Sequence, residues 1–169
     1  MNFLNTLEQM PFSIWVRESS SIWAFPTFLV VHTIGMSIVA GLSAMMSLVI
    51  LGFWPKMPIR PMERLFPLIW IGFWVNAATG TVLLIADAAT KLTNWDFYVK
   101  MAFVFAGVWL LTRTRKQIFG SSEIDRGALP SGAKGLAWAS LICWFAAITA
   151  GRLLAYLGPV SGLSGVTNK

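Results

Sequence analysis

The sequence predicts an all-α fold, an integral membrane four-helix bundle with both termini on the non-cytoplasmic side. Three observations carry this. Of 169 residues, 56% are apolar and only 12% charged, about half the charge of an ordinary soluble domain. Four apolar runs are each long enough to cross a hydrocarbon core of about 30 Å, which takes about 20 helical residues. The runs are continuous rather than alternating, which favours helices over a closed barrel, and lipid tolerates no other backbone. The nine tryptophans and twelve phenylalanines fit the same setting, because aromatic rings gather at membrane interfaces.

Residues 1–24 form an N-terminal segment without the basic start and long apolar core of a signal peptide. Phe3, Leu4, Leu7 and Met10 follow helical spacing up to Pro11, and Phe12, Ile14, Trp15 and Ile22 resume an apolar pattern. An amphipathic segment lying on the outer surface is the expectation. The transmembrane domain follows over 25–157, with spans at about 25–54, 65–87, 97–118 and 135–157, and residues 158–169 form a tail. Pro55, Pro58 and Pro61 make the first connection stiff and non-helical. Ala88 to Asp96 forms the second. The third span has its apolar centre at Val99 to Thr112 and reaches full length if Lys100 snorkels and the turn up to Ile118 counts. The third connection, Arg113 to Lys134, is the longest and most polar.

Charge sets the orientation. Lys56, Arg60 and Arg64 in the first connection, with Arg113, Arg115, Lys116, Arg126 and Lys134 in the third, account for eight of the thirteen lysines and arginines. The positive-inside rule puts that side in the cytoplasm, as in a bacterial inner membrane. The net charge of +6 is thereby a topology signal, and no nucleic-acid recognition motif accompanies it. A single cysteine, Cys143, excludes an intrachain disulfide and multi-cysteine metal sites, and reads as an inert buried thiol. A single histidine excludes a bis-histidine haem within one chain.

Ionisable groups inside spans cost about 2.5 to 3.5 kcal/mol at mid-helix and are usually functional. Here they fall on one level. His32 lies roughly 9 Å below Pro26 at 1.5 Å per residue; Asp87 ends the second span, Lys100 starts the third, and Arg152 and Tyr156 close the fourth. Asn76, Thr79, Gly80, Leu83 and Asp87 form one helical stripe. Ser37 with Gly41, Asn76 with Gly80, and Ala147 with Gly151 are small pairs four apart, a spacing that lets helices approach.

Two readings of this level compete. In the structural one, Asp87 and Arg152 pair to fasten two helices with Tyr156 completing the contact, and a neutral His32 donates one hydrogen bond across the bundle. In the other, the level is a haem b site. His32 is the axial iron ligand, Lys100 and Arg152 hold propionates, Asp87 steadies one of those cations, and Gly35 and Gly80 make room. The sixth position is open. Met36 shares the face of His32, Met45 and Met46 lie roughly 20 Å along, and Lys100, unprotonated, is the remaining donor in the chain. A copper site from His32 and Met36 has too few ligands without a partner. A quinone pocket at His32 or Tyr156 has no distinguishing feature. A proton relay through His32, Asp87 and Lys100 stops halfway.

The runs Ser21-Ile22-Trp23-Ala24-Phe25-Pro26, Val31-His32-Thr33-Ile34-Gly35, Arg64-Leu65-Phe66-Pro67, Thr79-Gly80 with Ala86-Asp87-Ala88, Phe97 to Met101 and Ala150-Gly151-Arg152-Leu153-Leu154-Ala155-Tyr156 together resemble a family of small, uncharacterised bacterial inner-membrane proteins. The resemblance covers about residues 17 to 157. The chain departs from that pattern at Met46 to Val49, where members often place an acidic and a basic residue, and at Thr112 to Arg115, where many carry a histidine. A more distant likeness reaches four-helix proteins of the HemJ-type protoporphyrinogen oxidase and CopD-like groups. In the oxidase a histidine early in the first helix and a lysine early in the third serve the haem, and His32 and Lys100 match those places. The expectation is a haem b-binding inner-membrane protein acting in electron transfer or haem-linked oxidation. The competing expectation is a cofactor-free structural or accessory subunit of a larger membrane complex or homo-oligomer, with Trp70, Phe73, Trp74 and Trp144 as an aromatic surface for a partner. An enzyme acting on a lipid-soluble quinone or porphyrinogen is a third.

Overall fold

The computed structural model describes residues 9–19, 21 and 23–156, except for the side chains of residues 17, 89, 90 and 154–156. Phe3, Leu4, Leu7, Ile22, the Tyr156 side chain, the end of the expected fourth span at Leu157 and the tail lie outside that description. Among the described residues every regular element is helical. We number the α-helices α1 (Pro11–Glu18), α2 (Phe25–Leu51), α3 (Phe66–Ala86), α4 (Ala88–Leu92), α5 (Trp95–Thr114) and α6 (Ala133–Tyr156). Four segments, α2, a 3₁₀ turn continuing into α3, α5 with the turn after it, and α6, are long and apolar enough to cross a membrane. By length and composition this is a multi-pass membrane protein.

Local chemistry sets the helix ends. Pro26 and Pro67 sit in the first turns of α2 and α3, where a missing N–H costs nothing. Gly52 stops α2 in the left-handed region at φ 95°, a conformation that suits glycine. The apolar run alone extends that helix to about residue 54, but the glycine ends it first. The expected second connection contains α4, which starts at Ala88 with Asp87 at its N-cap position. Asn94 caps α5 by accepting from the Asp96 N–H at 3.1 Å, so this helix begins at Trp95, two residues before the position the apolar run suggests. After Thr114 the chain widens into a π turn over Arg115–Phe119.

The closest helix pairs are α2 with α3, α5 with α6, and α2 with α6; the α3 and α5 backbones run further apart. Glycine makes the first two seams close. A Cβ on Gly35 would lie 2.9 Å from the Asn76 N and the Gly72 O, so backbone meets backbone there. Gly35 therefore serves helix packing and gives no room to a ligand. A Cβ on Gly107 would lie 3.0 Å from the Trp144 ring. Trp144 is buried, while Trp74 is exposed and Phe73 packs against the core. The four aromatic residues expected to share one surface therefore do not. Ser37 and Gly41 face outward, with nothing within 4 Å of a Cβ on Gly41, so this small pair brings no described helix close.

The core fills the end of the bundle that carries the first and third connections. Met46, Ile50, Met62, Phe66, Ile69, Leu111, Ile118, Phe119 and Trp144 are all buried in one cluster. Phe66 and Phe119 meet edge to face at 5.3 Å. Helix α1 packs on α3, burying Ser13 and Val16, and Phe12 meets Phe28 at 6.4 Å.

Candidate functional site

The opposite end of the bundle holds the polar residues. His32 stands on α2 facing the stripe Asn76, Thr79 and Gly80 of α3. Its Nδ1 lies 3.0 Å from the Asn76 carbonyl oxygen and 3.2 Å from Thr79 Oγ1. A carbonyl only accepts, so Nδ1 carries the hydrogen and donates it. Nε2 of the neutral ring then keeps its lone pair. Thr79 donates its own hydrogen to the Val75 carbonyl at 2.7 Å. Gly80 makes the ring's position possible, since a Cβ there would lie 2.9 Å from Cε1. The structural reading expected this single bond across the bundle. It equally resembles the outer hydrogen bond that orients a ligating histidine.

A second glycine does the same for Lys100. Its side chain runs along Gly151 of α6, with Cε 3.4 Å and Nζ 3.7 Å from where a Cβ would stand. Lys100 is half-buried and makes no hydrogen bond or ion pair with a described residue. His32 on the α2–α3 seam and Lys100 on the α5–α6 seam stand at the same end of the bundle.

Lys91 is the residue the sequence reading missed. Its Nζ donates to the Leu83 carbonyl at 2.6 Å, closing an unpaired carbonyl at the C-terminal end of α3. Burial holds its pKa below the usual lysine value, and the Asp87 carboxylate works in the other direction. The available signal was its place four residues after Asp87, just past an apolar span.

Asp87 thus acts on Lys91. The Asp87–Arg152 ion pair is not present among the described residues; Arg152 is exposed on the last turns of α6. Met46 is buried in the core at the far end, and Met45 and Met36, the latter one turn from His32, are partly buried against that core. Cys143 is buried, its Sγ 3.0 Å from the Phe103 carbonyl. Among the described residues no group of three or more histidine, cysteine, aspartate or glutamate side chains could hold a metal ion.

The arrangement presents one imidazole lone pair, two lysine ammonium groups and the buried, unpartnered Oδ1 of Asn76. Comparison with protein families, curated proteins and solved structures finds no match for this chain.

Proposed function

We propose that this protein binds haem b in the membrane and acts in electron transfer or haem-linked oxidation. The observation that carries the proposal is the His32 ring, whose Nδ1–H is spent on the Asn76 carbonyl while Nε2 is left to ligate. Gly80 and Gly151 cradle the two side chains that a haem would need. Lys100 and the exposed Arg152 are the cations for its propionates, and Asp87, with Lys91, sets the charge beside them. Tyr156 completes the set by its place on α6. His32 would be the protein ligand to the iron, and Lys100, if unprotonated, would be a second donor in the chain. Bound haem would supply one-electron chemistry at the iron. The likeness of His32 and Lys100 to the HemJ-type pattern supports the same assignment. The basic asymmetry supports a bacterial inner membrane with both termini on the non-cytoplasmic side.

The test is a reduced-minus-oxidised visible spectrum of detergent-purified protein expressed with ample haem, with pyridine haemochrome quantification. The expected result is a Soret and an α band near one haem per chain, lost in a folded His32→Ala variant. A flat spectrum, or an unchanged one in His32→Ala, overturns the assignment; a flat spectrum leaves the cofactor-free accessory subunit as the account.

A further inference from the structure

The core-filled end of the bundle carries a separate cleft of about 450 Å³, lined by Arg60, Pro61, Glu63, Arg64, Pro67 and Arg115. Three guanidinium groups thus converge between the start of α3 and the turn after α5. Arg60 is already engaged: it donates to the Phe119 carbonyl at 2.7 Å, and its Nε lies 3.5 Å from Asp125 and 3.9 Å from Glu63. Arg64 and Arg115 meet no carboxylate among the described residues, and Arg115 lies over the Phe66 ring at 5.6 Å. Two uncompensated cations therefore face a cleft whose own carboxylate is drawn to Arg60.

We propose that this cleft binds the phosphate of an anionic phospholipid headgroup. The shared chemistry, a phosphate oxyanion between arginines, would also suit a soluble phosphate. The surroundings favour the lipid. The cleft lies at the end of two candidate spans, the depth at which headgroups sit. Directly along α3 from Pro67 are Leu68 and Ile71, both exposed and apolar. A cationic pocket continuous with bare apolar helix matches a phosphate continuous with acyl chains.

The experiment uses the full-length chain, delipidated in uncharged detergent and examined by native mass spectrometry. Phosphatidylglycerol and phosphatidylcholine are offered at equal concentration, with millimolar inorganic phosphate as competitor. The expected result is retention of phosphatidylglycerol over phosphatidylcholine, undisturbed by phosphate. At about 1 kcal/mol for each basic residue near a charged surface, Arg64→Gln with Arg115→Gln should lower that preference roughly thirtyfold. Arg64→Gln alone, an exposed change that breaks no contact, should lower it in the same direction. Arg113→Gln, over Trp109 and outside the cleft, should leave it unchanged. Equal retention of the two lipids, insensitivity to both cleft variants, an equal loss in Arg113→Gln, or displacement by inorganic phosphate each overturns the proposal. None of these readouts depends on haem.

Discussion

The two ends of this bundle solve opposite problems. At one end Met46, Phe66, Ile69, Ile118, Phe119 and Trp144 fill the space between helices with large side chains. At the other, Gly80 and Gly151 leave notches that His32 and Lys100 occupy. Lipid is as apolar as leucine, so helices in it are held by close contact rather than by exclusion from water. The filled end makes that contact with large side chains, and the polar end makes it through glycine, as where Gly35 meets the Asn76 backbone. A half-buried lysine without a partner among the described residues is tolerable because large buried side chains hold the other end of the bundle.

The contrast can be broken from the filled end. Phe66→Ala removes a buried ring that touches Phe119 and lies under Arg115; it should lower stability by about 3 to 5 kcal/mol. The check is thermal unfolding in detergent. Gly35→Ala comes next, because its Cβ would press on backbone rather than on a side chain that can turn away. A loss of about 1 to 3 kcal/mol is expected for such overpacking. His32→Ala should behave differently: about 1 kcal/mol for one hydrogen bond, with complete loss of any haem absorbance. A variant that unfolds as readily as Phe66→Ala would show that the polar end also holds the bundle together.

The smallest effect concerns Lys91. Its folded pKa lies below the usual lysine value because burial disfavours the charge. Between that lowered value and the ordinary one, the unfolded chain holds more protons than the folded one. Stability should therefore rise with pH through that window. The rise should vanish in Lys91→Met, when unfolding midpoints are compared at neutral and alkaline pH. An unchanged pH dependence in that variant would place its source elsewhere.

Much of the polar end could be read from spacing alone. The helical period aligned Asn76, Thr79 and Gly80, and the same three residues surround the His32 ring. The period could not say which apolar faces meet protein and which meet lipid, since both are greasy. That is why Ser37 and Gly41, spaced like a seam, face outward, and why Trp144, grouped with outward aromatics, is buried. Lys91 was hidden because it lies outside the spans, in a stretch that reads as a connection, and returns to α3 through a backbone carbonyl that no sequence pattern records.

The π turn after α5 has a mechanical consequence. There the Gly120 N–H bonds to the Arg115 carbonyl, and the Phe119 carbonyl receives Arg60 from the other connection. The molecule is two helical hairpins, α2–α3 and α5–α6, that meet along the α2–α6 seam and are riveted at one end by the Arg60 bond. A tilt of about 5° pivoting on that rivet would move the far ends by roughly 3 Å over a 30 Å helix. Those far ends hold His32 on one jaw and Lys100 on the other. The strap between them, residues 87–94, carries Asp87 and Lys91, so opening the jaws would pull on the Lys91 bond to the Leu83 carbonyl.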